Sequence, residues 1–181
     1  MDVESLISAH VSGLEAYQPP DWERLASRAG MKVEDLIRLD ANENPFGISQ
    51  GVREALFSHS TYSYYPDYGA LQSRIADYAG VEPENVVLGN GGDEIIDLSV
   101  RLCVEPGDGA IVCPPAFGMY AVSTRAHRGK LLRAPRRDDF SLDLEAIETL
   151  SGGIWDVRPK LLFVTSPGNP DGLAVPVADL V

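Results

Sequence analysis

The stretch Val86–Cys103, VVLGNGGDEIIDLSVRLC, decides how this 181-residue chain is read. A short apolar run, Val86-Val87-Leu88, ends in Gly89-Asn90-Gly91-Gly92. Asp93-Glu94 then open a helical pattern with Ile95, Ile96, Leu98, Val100 and Leu102 at its apolar positions. The pattern predicts a strand, a glycine-rich turn and a helix N-terminus. Turn glycines accept positive φ and leave bare backbone for a ligand. The first helical amides lack intrahelical partners and carry the positive end of the helix dipole, which suits a phosphate. The same residues equally fit a plain strand–helix turn in which Asp93 and Glu94 cap those amides. Two well-known phosphate loops are excluded. No Gly-Lys-Ser/Thr closes the turn, and G-x-G-x-x-G fails because its last position is Glu94.

Bulk composition narrows the partners. Fifteen basic residues against 27 acidic ones give a net charge of −12, which argues against nucleic acid and anionic membranes. A hydrophobic content of 44% suits a globular protein large enough for a real core. Cys103 and Cys113 are too few for a disulfide framework and lack the spacing of a zinc site, so buried thiols and no metal are expected. The opening MDVESLISAHV is acidic and unlike a signal peptide, and no segment is long enough to be a transmembrane helix. The expectation is a cytoplasmic protein.

Residues 1–30 read as a helical, peripheral arm, with Asp21 the N-cap of a Trp22–Ala29 helix and Gly30 its stop. Ile37–Asp40 reads as a short strand running into the polar loop Ala41–Gly47, and Ser49 as the cap of a helix through Phe57. STYSYYPDYG, residues 60–69, is an aromatic loop. Gly69–Ala79 is an amphipathic helix with Leu71, Ile75 and Tyr78 on one face. Further on, strands are expected at Ala110–Cys113, Lys130–Ala134 and Leu161–Thr165, with helices at Phe117–His127 and Leu142–Leu150. This alternation predicts an α/β fold: a mostly parallel sheet with helices on both faces. In such sheets ligands bind beyond the carboxyl ends of the strands. The glycine turn, Pro114–Tyr120 and Ser166–Gly172 all follow strand ends and are expected to converge on one crevice.

Five motifs occur in order: LDANENPFG at 39–47, Tyr65-Pro66-Asp67, GNGGDE at 89–94, PPAFGMY at 114–120 and SPGNPDG at 166–172. Together they resemble histidinol-phosphate aminotransferases, which are fold-type-I pyridoxal-phosphate enzymes, over nearly the whole chain from about Tyr17. The resemblance implies an N-terminal arm and small-domain segment over residues 1–60. It implies an incomplete coenzyme-binding large domain over 61–181. It also implies pyridoxal 5'-phosphate as cofactor and a homodimer that transfers an amino group between histidinol phosphate (or imidazole-acetol phosphate) and glutamate or 2-oxoglutarate, in histidine biosynthesis.

By position, Gly91, Gly92, Asp93 and Glu94 match the turn that holds the cofactor phosphate. Phe117 matches the aromatic that stacks on the pyridine ring, and Asn169 the asparagine that hydrogen-bonds the ring hydroxyl. Tyr65 matches a tyrosine reaching the phosphate of the other subunit. Tyr17, Asn42 and Asn44 fall where substrate is bound. The same branch includes aromatic amino-acid aminotransferases and threonine-phosphate decarboxylases. A non-catalytic phosphate- or partner-binding chain is the alternative of a different class.

Three departures from the family pattern stand out. Phe117 replaces a frequent tyrosine. The loop usually written Ser-Pro-Asn-Asn-Pro-Thr-Gly carries Gly168 and Asp171. The Schiff-base lysine is also missing: Lys32, Lys130 and Lys160 are the chain's only lysines, and none has the family's Ser-x-x-Lys context. In the family that lysine, the aspartate on the pyridine nitrogen and the arginine gripping substrate all come later, so no catalytic residue is assigned here and Val181 reads as a truncation point. The family's last strand, which pairs with the segment at Val86–Leu88, is expected beyond Val181. Expressed alone, the 181-residue piece is therefore predicted to be unstable or to aggregate; a cooperative thermal melt of native-like stability would contradict this.

Overall fold

The computed structural model describes residues 3–14 and 20–180, and the chain divides into two compact units, 15–69 and 1–14 with 70–181. In the smaller unit, Asp21 accepts the Arg24 amide at 2.9 Å and starts helix α2 (Trp22–Ala29), which Gly30 ends. Ser49 caps α3 (Gln50–Ser58). Both caps stand where the sequence places them, because a short side-chain oxygen can satisfy one orphan amide. This unit has little interior, and Ala26 is its one buried hydrophobic among the described residues. The strand expected at Ile37–Asp40 does not form. Ile37 and Leu39 are 87% and 85% exposed, and with no neighbouring strand an apolar run has nothing to pair with.

The larger unit opens with a 3-10 turn at Val3–Leu6 and α1 (Ala9–Ser12). It continues with α4 (Gly69–Ala79), α5 (Gly92–Cys103), β1 (Gly109–Val112), α6 (Met119–Ala126), β2 (Lys130–Arg133), α7 (Leu144–Ser151) and β3 (Pro159–Phe163). The three strands form one parallel sheet in the order β2-β1-β3, so the α/β reading holds. The register sets Ile111 beside Leu132 on one side and Leu162 on the other.

Strand β1 is buried at all four positions, as a continuous apolar run in a parallel sheet requires. Ile111 and Cys113 join Leu132, Ala134, Leu142, Ile147 and Val175 in one core cluster, against Ala146 and Leu150 of α7. Ala110 and Val112 alternate to the opposite face, the side left to α5 and α6, which pack on one another. Gly129 permits that packing: a Cβ there would stand 2.7 Å from Val104 and 3.0 Å from Thr124.

Two local readings are corrected. Val86–Leu88 is extended at its start but joins no sheet. The Gln72 side-chain amide donates to the Val86 and Pro83 carbonyls at 2.8 and 2.9 Å, so a side chain rather than a ladder meets this backbone. On α4 the buried position is Ala76, one turn from the half-buried Gln72, while Leu71, Ile75 and Tyr78, the expected apolar face, are all exposed, Tyr78 at 95%. Removing the largest side chain of the central strand, Ile111→Ala, is predicted to cost about 3 kcal/mol of stability, read from the urea midpoint.

Candidate active site

The helix α5 ends five residues before β1 begins, so its C-terminus lies at the amino edge of the sheet. Its N-terminus consequently lies at the carboxyl edge, where β1 runs into Pro114–Tyr120 and β3 into Ser166–Gly172. Three of the sequence-predicted segments are thus brought to one edge of adjacent parallel strands. Lys130 and Lys160, at the starts of β2 and β3, lie at the opposite edge.

The turn before α5 is built on two glycines with different tasks. Gly91 holds φ 81°, ψ −179°, a conformation open essentially to glycine alone. Gly89 lets the chain close on the helix: a Cβ there would stand 2.9 Å from Ile95 Cδ1 and 3.1 Å from Glu94 Oε2. The Glu94 carboxylate folds back to accept the backbone amide of Asn90, and the Asn90 side-chain amide at 3.0 Å. It therefore braces the turn from outside rather than sealing the helix end. Gly91, at the N-cap, supplies no side-chain cap. Nothing lies within 4 Å of where a Cβ on Gly91 or Gly92 would stand, so open space adjoins the first amides of α5. The geometry fits an anion of the size of a phosphate group better than a self-capped turn.

Phe117 lies just before α6 and is 37% exposed. Its ring meets Tyr120 edge-on, with centroids 5.8 Å apart, and Tyr120 stacks on Phe163 of β3 at 4.5 Å and 10°. The Tyr120 hydroxyl hydrogen-bonds Thr165 Oγ1 at 2.9 Å. Phe117 is thereby tied, through Tyr120, to the strand that delivers the half-buried Asn169. Sequence reading passed over Tyr120 and Thr165. Tyr120 stands three residues after Phe117, a helical spacing that could have flagged it, but Thr165 is 45 residues further on and only the β1–β3 pairing brings it close.

The remaining predicted residues fall in the smaller unit or outside the described residues. Asn42 has φ 52°, and Asn44 is engaged in its own turn, accepting the Phe46 amide at 3.0 Å and donating to the Gly47 carbonyl at 2.9 Å. Tyr65 is fully exposed, at 101%. All three lie in the smaller unit. Tyr17 falls outside the described residues. Among the described residues no cluster of His, Cys, Asp and Glu could hold a metal ion, and no helix is long and apolar enough to cross a membrane.

Residues 34–181 match the family model described as aminotransferase class I and II. This chain belongs to that aminotransferase family. Curated relatives of this aminotransferase chain include the chloroplastic histidinol-phosphate aminotransferase of Nicotiana tabacum, 40% identical over 175 residues, covering 95% of this chain and 42% of the relative. Histidinol-phosphate aminotransferase of Roseiflexus castenholzii is 36% identical over 178 residues, with 94% and 47% coverage. The crystal structure of histidinol-phosphate aminotransferase from Sinorhizobium meliloti, in complex with pyridoxal-5'-phosphate, superposes with a TM-score of 0.76 at 26% identity, over 97% of this chain and 46% of that one. The aminotransferase chain thus spans less than half the length of these relatives.

One turn and more below the glycine turn, Asp97 of α5 accepts hydrogen bonds from Ser123 Oγ at 2.9 Å and pairs with His127 Nε2 at 2.8 Å, both on α6. The hydrogen bond with His127 chiefly holds the Asp97 carboxyl below the ordinary carboxylate range. Partial burial opposes this, while Ser123 and the charges of His127 and Arg101 add to it. A depressed carboxyl stabilises the fold above its unfolded pKa of about 4, and that contribution is lost as pH falls further. Asp97→Asn is predicted to flatten the fall in melting temperature below about pH 4; an unchanged acid limb in a pH series of melts would refute the clamp.

Proposed function

We propose that this chain forms the coenzyme-cradling portion of a histidinol-phosphate aminotransferase. In this reading the protein binds pyridoxal 5'-phosphate and exchanges an amino group between histidinol phosphate and 2-oxoglutarate, a step of histidine biosynthesis. The observation that carries the reading is the uncapped N-terminus of α5 behind Gly91, with open space beside it at the carboxyl edge of the sheet. The resemblance of the five motifs, and the names of the relatives, support the choice of substrate.

The backbone amides of Gly92, Asp93 and Glu94 hold the coenzyme phosphate, which the helix dipole favours as a dianion. Gly91 makes the approach possible by adding no side chain. Phe117 lies against the pyridine ring, its angle set by Tyr120. Asn169 would hold the ring by donating its side-chain amide to the ring hydroxyl. Bound there, the coenzyme supplies the electron sink that the amino transfer requires. Asn42, Asn44 and Tyr17 contact substrate, and Tyr65 reaches the phosphate of a second subunit, which makes the working form a homodimer. Residues 1–60 serve as arm and small-domain segment and 61–181 as coenzyme-binding domain, in a cytoplasmic setting.

The test is coenzyme binding and substrate choice in the full-length protein. Gly91→Ala forces a residue with a Cβ into a conformation costing roughly 1–3 kcal/mol and is predicted to weaken pyridoxal phosphate about tenfold or more, read by absorbance titration. Turnover with histidinol phosphate and 2-oxoglutarate should far exceed turnover with phenylalanine. The reverse order would move the protein to an aromatic aminotransferase, and failure to bind the coenzyme would leave a chain that binds without catalysing.

A further inference from the structure

The loop after β3 departs from the family pattern at Gly168 and Asp171, and the structure joins the two departures into one device. Gly168 is buried, and a Cβ placed on it would stand 2.2 Å from Asp171 Oδ1 and 2.5 Å from Oδ2. Its φ is not in the left-handed region, so the backbone there accepts any residue. The three atoms nearest to that Cβ all belong to the Asp171 carboxylate. That carboxylate fills the space with its side chain 1% exposed, and faces Arg136 Nε at 3.8 Å, the Arg136 side chain being 3% exposed.

The Asp171 carboxylate is tied to the loop on one side and to a charge on the other. Oδ1 accepts the Leu173 amide at 2.9 Å. Oδ2 and Arg136 Nε make no hydrogen bond, so charge attraction alone links them at this distance. Arg136 is anchored independently: Nη1 donates to the Phe140 carbonyl at 2.9 Å and Nη2 to the Thr165 carbonyl at 3.3 Å. The loop closes on itself around the pair. Gly168 N donates to the Leu173 carbonyl at 2.7 Å and Gly172 N to the Gly168 carbonyl at 2.9 Å. Asn169 lies inside this closed loop, between the glycine that makes room and the aspartate that takes it.

We propose that Asp171 is a positioning residue: held by Arg136 in the space left by Gly168, its carboxylate sets the loop that presents Asn169 to the coenzyme. The assignment rests on the reading of Asn169 as a coenzyme ligand. A buried charge with a single ionic partner is strongly position-sensitive, because moving it away from that partner leaves both groups desolvated and unpaired. The loop therefore has one low-energy arrangement, and the direction of Asn169 comes with it.

Two measurements on the full-length protein test this. In melts of the coenzyme-free protein, Gly168→Ala should lower the midpoint by roughly 5–10 °C, and by under about 2 °C in a D171T background. Equal losses in both backgrounds would overturn the steric coupling. The second measurement is the pH titration of the absorbance of bound pyridoxal phosphate, which responds to the hydrogen bond on the ring hydroxyl and not to global stability. N169A should move its midpoint, and D171T should move it by roughly half a unit in the same direction. If N169A leaves the midpoint unmoved, the reading of Asn169 fails. If N169A moves it and D171T does not, the positioning role of Asp171 fails while the functional reading stands. Should D171T prove too unstable to load coenzyme, R136K, which keeps the charge but loses the planar fork, is judged by the same shift.

Discussion

The burial of β1 is the constraint on which the larger unit depends. Four residues, Gly109–Val112, are covered on both faces and paired on both edges. A strand so placed has no freedom of register, because a slip by one residue would exchange the faces of Ile111 and Ala110. Fixing β1 fixes where β2 and β3 end, and with them the starting points of the loops at 114–120 and 166–172. Even the approach to β1 is tightly packed: a Cβ on Gly109 would stand 2.9 Å from Val157 and 3.3 Å from Leu132. Loops carry the chemistry of such a fold, but the packed sheet gives them their precision.

The glycine turn shows how a protein can leave a helix end unsatisfied without losing the helix. The stabilising interactions are displaced by one residue. Glu94 reaches back to Asn90, outside the helix, instead of closing over the first amides. The helix is secured lower down, by Val100 in the core and by the Asp97 contacts to Ser123 and His127. The end itself is then free to receive an anion, with dipole and amides already oriented. The aromatic side of the site follows the same economy. Phe117 remains partly exposed, its ring met edge-on by Tyr120, which itself stacks on Phe163.

Membership of the class I and II aminotransferases accords with both arrangements, and the chain covers less than half of its relatives. The many exposed apolar side chains of the smaller unit, Phe46 and Tyr65 among them, stand out against the closed core around Ile111. One unit has its own interior, while among the described residues the other buries only Ala26 of its hydrophobic side chains.

Local rules wrote much of this into the sequence. Asp21, Ser49 and the apolar runs of β1, β2 and β3 could be read directly, since caps and buried parallel strands depend on residues within one turn or one run. A positive φ within the glycine turn was legible as well, but that it falls on Gly91 and not on Gly89 or Gly92 was not. Which apolar runs would find a pairing partner was not legible. Val86–Leu88 and Ile37–Leu39 are as apolar as true strands, yet a strand exists only where a neighbour completes its ladder, and that neighbour is a matter of tertiary structure. For the same reason only the folded chain could join Gly168, Asp171 and Arg136, or Phe117, Tyr120 and Thr165. Arg136 stands 35 residues before Asp171, and Thr165 stands 45 after Tyr120, and they meet because parallel strands return each loop to the same edge.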